Sequence, residues 1–163
     1  MLIILKNKDT LVFDDFTFKC CIGQKGLTYK KIEGDKKTPK GIFSLGSLFY
    51  RKDRNKRPKT SLKVIKIKKK MGWCDDGNHR KYNKLININQ NIKCENLFRM
   101  DYKYDLLIPI HYNYPKPKKN KGSAIFLHLT KNFKKTLGCI AIKKEDFLIL
   151  LKLINKKTKI KIS

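Results

Sequence analysis

Two short aliphatic runs constrain this chain more than any other feature: Ala124-Ile125-Phe126-Leu127-His128-Leu129 and Cys139-Ile140-Ala141-Ile142. In an extended strand, alternate side chains share a face. Ile125, Leu127 and Leu129 then face one way, with Phe126 and His128 opposite them. Ile140 and Ile142 likewise share a face, and Cys139 lies on the other with Ala141. Residues 130–138, between the runs, are polar and short. If the two runs pair, their aliphatic faces close one core. His128 and Cys139 then come together on the opposite face, near one end of the pair.

A thiol beside an imidazole is the arrangement nucleophilic catalysis needs. The thiolate is the reactive species, and a neighbouring imidazolium lowers the thiol pKa. Gly138 allows close backbone approach just before Cys139, whose N–H is then free to serve an oxyanion hole. The Thr136 hydroxyl is placed to orient the imidazole or a substrate. The same residues also suit a plain scaffold, because a buried cysteine packs as a small hydrophobe.

Elsewhere the pattern is mostly that of short strands. Residues 2–5 and 11–22 read as strands, with Asn7-Lys8-Asp9 as the turn. Gly34-Asp35 and Pro39-Lys40-Gly41 punctuate the next stretch, and an apolar run follows at 42–50. Residues 51–59 are a charged loop, and 62–68 alternate weakly as a strand. Residues 71–83 read as an irregular loop, 104–112 as a strand and 114–121 as an exposed loop. In 144–156, Phe147, Leu148, Leu151 and Ile154 fall at helical spacing, one apolar stripe. The fold expected is mainly β, with a helix packed near the C-terminus.

At 163 residues with 40% hydrophobic side chains, the chain suits one domain over 1–163 with a substantial core. The net charge of +27 attracts anionic polymers of any kind. It comes from lysine far more than from Arg51, Arg54, Arg57, Arg80 and Arg99. Lysine lacks the bidentate fork that base reading favours, so a nucleic-acid partner is not expected. The five cysteines make no CxxC and no zinc spacing, so no metal is expected. The first apolar run is too short for a leader peptide and reads as a strand. No stretch reaches transmembrane length.

The motifs add a resemblance. Gly122-Ser123-Ala124-Ile125-Phe126-Leu127-His128, followed by Thr136-Leu137-Gly138-Cys139-Ile140-Ala141, resembles the signature of the L,D-transpeptidase catalytic domain (YkuD-type). Upstream, Glu33-Gly34-Asp35-Lys36-Lys37-Thr38-Pro39-Lys40-Gly41-Ile42-Phe43 is similar to that family's G-D-x-x-T-P-x-G-x-F segment. Gly72-Trp73-Cys74-Asp75-Asp76, Tyr82-Asn83, Arg99, Asp101, Tyr104-Asp105 and Tyr112-Asn113 resemble a proteobacterial subgroup of it. The resemblance implies an L,D-transpeptidase-like β-sandwich and a peptidoglycan stem peptide as substrate. It implies Cys139 as nucleophile, His128 as general base and acid, and no cofactor. It also implies action in the periplasm or cell wall, and carbapenem sensitivity. Three departures stand out: Leu137 where many members carry His, Ala141 where many carry Arg or Asn, and a short stretch between His128 and Cys139.

Trp73, Asp75, Asp76, Tyr82 and Asn83 are candidates for the pocket mouth, each also fitting a loop anchored by an aromatic ring and Asx turns. Glu33 and Asp35 fit a turn better than a carboxylate pair, and Arg99 with Asp105 fits a buried ion pair. Cys20, Cys21, Cys74 and Cys94 read as structural, and a monomer is expected. Two other readings stand beside this one: an L,D-carboxypeptidase that keeps the same active site with water as acceptor, and a non-catalytic basic module that binds wall polymer or nucleic acid with Cys139 idle.

Overall fold

The computed structural model describes residues 1–89 and 91–163. Three strands open the chain as an antiparallel meander: β1 (Leu2–Lys6), β2 (Thr10–Phe13) and β3 (Phe16–Cys21). The predicted long strand over 11–22 is thus two strands. The break falls at Asp14-Asp15, where Asp14 takes a φ of 48° that continuous pleating forbids. Short strands β4 (Leu27–Thr28) and β5 (Thr38–Pro39) pair with each other. The apolar run at 42–50 divides into β6 (Gly41–Ser44) and β7 (Leu48–Tyr50), followed by β8 (Val64–Lys66).

β9 (Met71–Cys74), β10 (Leu85–Asn87) and β11 (Cys94–Asn96) form a separate three-stranded sheet in the order β10-β9-β11. This corrects the expectation of an irregular loop over 71–83: its first four residues are the central strand of that sheet. β12 (Leu106–Pro109), β13 (Phe126–Leu129) and β14 (Ile140–Ile142) follow. The helix α1 (Lys144–Leu153) comes next, then β15 (Lys159–Ile162).

Ten strands make the main sheet, in the order β6-β15-β1-β2-β3-β14-β13-β12-β7-β8. The sheet curls onto itself, because β6 at one edge runs directly into β7 near the other. Leu45 bridges Ile110 at this corner, and the Gly46 N–H donates to the Pro109 carbonyl at 2.8 Å. One core fills the curl and includes Ile3, Leu11, Leu106, Ile108, Leu127 and Ile140. The helix adds Phe147, Leu150 and Leu151 to it. The family expectation of a mainly β sandwich with a C-terminal helix is met.

The outer face of β12 and β13 is covered as well. Phe49, Leu97, Tyr104, Leu107, Phe126 and Cys139 form a second core beneath the three-stranded sheet. β13 is therefore buried on both sides, a pattern that alternation alone does not reveal. The Phe126 ring stands edge-on to Trp73 at 5.3 Å and to Tyr104 at 5.7 Å, with no exposure. Phe126→Ala is expected to cost about 3–5 kcal/mol in urea unfolding, the range for an aromatic cavity. Leu137→Ala, at a side chain 68% exposed, is expected to change stability by less than about 0.5 kcal/mol.

Candidate active site

β13 and β14 lie side by side and parallel, with Leu127 opposite Ile140 and His128 opposite Ala141. That register puts Cys139 beside Phe126 and one pleat from His128, on the face away from the main core. Both residues line one cleft of about 730 Å³, with Cys139 8% and His128 6% exposed.

The loop that delivers Cys139 is braced from three directions. Thr136 bridges Gly23 at the end of β3: its N–H donates to the Ile22 carbonyl at 2.9 Å, and its carbonyl accepts from Gln24 N–H at 2.9 Å. The Thr136 hydroxyl donates to the Cys139 carbonyl at 2.6 Å and accepts from Gly138 N–H at 3.1 Å. The sequence reading gave this hydroxyl to the imidazole or the substrate. The structure spends it on the turn, where it fixes the backbone just before the thiol. Gly138 has φ 144°, and a Cβ there would lie 3.0 Å from the Lys37 carbonyl. Both the conformation and the close approach require glycine.

The Lys37 carbonyl belongs to the Gly-Asp-x-x-Thr-Pro segment, which forms a shelf under the loop. Asp35 accepts from the N–H groups of Ile32 and Lys37, both at 2.9 Å, and from the Lys31 ammonium at 2.6 Å. Burial would raise its pKa, but these donors together hold it below the usual value. Thr38 caps Gly23 N–H at 2.9 Å. Asp35 has the turn role expected of it. Glu33 accepts from the hydroxyls of Tyr82 and Ser123 and also reaches the cleft.

His128 Nδ1 lies 3.0 Å from the Leu129 carbonyl. A carbonyl only accepts, so Nδ1 carries the proton and Nε2 keeps a lone pair. The Tyr104 ring stands edge-on to the imidazole at 5.4 Å, and its hydroxyl donates to Glu95 at 3.0 Å. The Cys139 thiol donates to the Ala124 carbonyl at 3.3 Å and accepts from Phe126 N–H at 3.4 Å. No hydrogen bond joins it to His128 among the described residues. The Cys139 N–H likewise donates to no partner among them.

The expectation of a thiol acidified by imidazolium is reversed in this resting structure. Burial pushes the thiol up to about 12, opposed by Phe126 N–H and by the charges of Lys31 and Arg99. Burial also pushes the imidazole down to about 4, opposed by the Leu129 carbonyl. Both groups are neutral at pH 7, because each would lose more solvation on ionising than its neighbours return.

The remaining sequence candidates divide. Asp75 reaches the cleft, and its buried Oδ1 has no hydrogen-bond partner among the described residues. Trp73, Asp76, Tyr82 and Asn83 do not line the cleft. Trp73 packs on Phe126 and donates from Nε1 to Asn83 Oδ1 at 2.9 Å. Asn83 also accepts from Ala124 N–H at 3.1 Å and donates to the Tyr112 and Asn113 carbonyls. It is a knot of the scaffold behind β13. Asp76 makes an Asx turn with Asn78. Arg99 does not pair with Asp105; it grips Asp101 and Glu95, while Asp105 pairs with Arg54. Lys31 and Glu95 line the cleft and were not singled out in the sequence.

Residues 2–162 match the L,D-transpeptidase catalytic domain (YkuD) family. The chain belongs to that family. As an L,D-transpeptidase-family protein it is a cysteine-dependent enzyme of peptidoglycan chemistry, and its activity is associated with the cell wall. No curated protein and no solved structure matches the chain. No helix among the described residues is long and apolar enough to cross a membrane.

Proposed function

We propose that residues 1–163 act as one catalytic domain, a peptidoglycan L,D-transpeptidase with Cys139 as nucleophile and His128 as general base and acid. The observation that carries this reading is the pairing of β13 with β14, which sets a thiol and an Nδ1-protonated imidazole in one cleft.

The resting pair is neutral, so the thiol loses its proton as it attacks. The proton passes to His128 Nε2 as sulfur bonds to the carbonyl carbon of the third residue of the donor stem, an L-centred diamino acid. The oxyanion is met by the unpaired Cys139 N–H. The intermediate collapses with cleavage of the C–N bond, and Nε2 returns the proton to the departing D-alanine amine. A thioester remains on Cys139. An amine of a neighbouring stem attacks it and gives its proton to His128. The C–S bond breaks, and the sulfur takes the proton back. Imidazolium is transient, and the Leu129 carbonyl on Nδ1 supports it. The cleft carries both signs, with Lys31, Arg99 and Lys103 near Glu33, Asp75 and Glu95. That mixture suits a peptide bearing both carboxylate and ammonium groups. The site of action is the periplasm or the wall, where this substrate lies.

Incubation with a disaccharide tetrapeptide, followed by intact mass, tests the reading. An acyl adduct with release of D-alanine is expected, and then cross-linked dimer. Trimmed tripeptide without dimer would make water the acceptor and the enzyme an L,D-carboxypeptidase. Folded protein that yields neither adduct nor D-alanine would overturn the assignment.

A further inference from the structure

We propose that Lys31 is the binding residue for the terminal carboxylate of the donor peptide; this rests on the reading of Cys139 as nucleophile. Its side chain is 3% exposed yet borders the cleft. The stem lies against Gly122, where a Cβ would come 2.8 Å from Lys31 Cγ. Nζ lies 3.6 Å from the position a Gly138 Cβ would take, directly beside the loop that carries Cys139. An ammonium has three donors, and only the bond to Asp35 is filled among the described residues. Asp35 also accepts from two backbone N–H groups, so its oxygens are divided among three donors while the ammonium has only this one acceptor among the described residues. A buried ammonium with open donors beside the loop that carries the thiol selects an anion. In a peptide cut one residue from its end, the anion nearest the scissile carbonyl is the carboxylate of the departing residue. The contact therefore favours donors that end one residue beyond the cleaved bond.

The test compares tetrapeptide donors ending in a free carboxylate or in an amide. Acylation of Cys139 in otherwise wild-type protein should prefer the free acid by about 10- to 100-fold in kcat/KM, the range of a charge-assisted hydrogen bond. Lys31→Met keeps the stem and is expected to reduce that preference below about 3-fold, any loss through the thiol or the Asp35 shelf falling on both peptides alike; Lys31→Arg should restore part of it. Calorimetric binding of both peptides to the Cys139→Ala protein repeats the comparison without turnover. There Lys31→Met should weaken the acid by about tenfold and leave the amide unchanged. Equal losses for both peptides, or a preserved preference, would overturn the role of Lys31. Absence of acylation alongside the binding difference would sink the catalytic reading and leave the carboxylate site standing.

Strand register carries a second inference, independent of catalysis: the structure assigns Cys74 and Cys94 as a disulfide-forming pair. They sit directly opposite each other on β9 and β11. The flanking bonds, Asp75 N–H to the Lys93 carbonyl at 3.4 Å and Leu97 N–H to the Met71 carbonyl at 3.0 Å, make theirs a non-hydrogen-bonded pair. Such pairs have Cα atoms about 4.5 Å apart, within disulfide range. Cys94 Sγ lies 2.9 Å from where a Gly72 Cβ would stand, so it is on the side of the sheet that Cys74 occupies. All five cysteines are free thiols here, and Cys94 is the one that is not buried. Its thiolate attacks a small disulfide such as oxidised glutathione and releases one thiol. The Cys74 thiolate then displaces the second, and both protein protons leave with the two glutathione thiols. The link would staple the wall that holds Asp75 and Glu95. Oxidised glutathione followed by non-reducing peptide mapping should give a 74–94 cross-linked peptide and a mass lower by two hydrogens. A lasting glutathione adduct on Cys94, or no change, would overturn it.

Discussion

Replacing His128 by glutamine is expected to slow acylation of Cys139 by about 10²- to 10⁴-fold, the usual contribution of a positioned general base. The size of the effect follows from the neutral resting pair. With the thiol held up to about 12, almost no thiolate exists at pH 7 for a substrate to find. The base must act during attack, and neither group hydrogen-bonded to the Cys139 sulfur among the described residues, the Ala124 carbonyl or the Phe126 N–H, can take the proton, whereas His128 lines the same cleft. Intact-mass kinetics with the tetrapeptide donor measure the rate, and a loss of less than about threefold would remove His128 from the mechanism. The same variant should alter stability against pH. The His128 pKa of about 4 in the folded state lies below its ordinary value of 6.5. Between those values the unfolded chain binds a proton that the folded chain refuses. Stability from this group is complete above pH 6.5 and is lost as pH falls toward 4, by about 3 kcal/mol in total. Urea midpoints of wild type should fall over that window, and those of His128→Gln should lack this part of the fall.

The pairing of thiol and imidazole was legible because alternation is local. Ile125, Leu127 and Leu129 against Phe126 and His128 is a statement about one strand, and the structure keeps it. What alternation could not show was a second layer. Phe126 and Cys139 lie under Trp73 and Leu97 only because β9, β10 and β11 fold back as a sheet. Its strands are three or four residues long and carry Gly72, Cys74 and Asn96, so their pattern is faint. The break at Asp14-Asp15 was hidden for a related reason, since two strands joined by a tight turn keep one apolar rhythm. β15, with Lys159-Ile160-Lys161-Ile162, alternates strictly, but its place in the sheet comes from pairing with β1 and β6, both far back in the first third of the sequence. Lys31 escaped notice among forty lysines and arginines, because what distinguishes it is burial rather than type. The motif positions Asp35, Thr38 and Gly138 were visible one by one. That they form a single shelf and loop needed the contact of Gly138 with Lys37.

Alkylation of Cys139 by iodoacetamide is expected to climb about tenfold per pH unit from pH 7 to 10, roughly a thousandfold in all, without reaching a plateau. The sign follows from the species involved. Only thiolate alkylates, and while the pH stays below a thiol pKa of about 12 the thiolate fraction grows with each unit of pH. Donor acylation obeys a different control. It requires neutral imidazole, which is present above about pH 4, and the carbonyl carries its own demand for a proton acceptor. Its rate should therefore stay level between pH 6 and 8 while alkylation over the same interval rises a hundredfold. Peptide mapping assigns the alkylated site and separates Cys139 from the more accessible Cys94. Two profiles of different slope mean that the nucleophile is made on demand, by a base that waits beside a protonated thiol. Two profiles that level off together near neutral pH would mean a standing thiolate–imidazolium pair, and the burial that shields Cys139 and His128 in this structure would have to open before reaction.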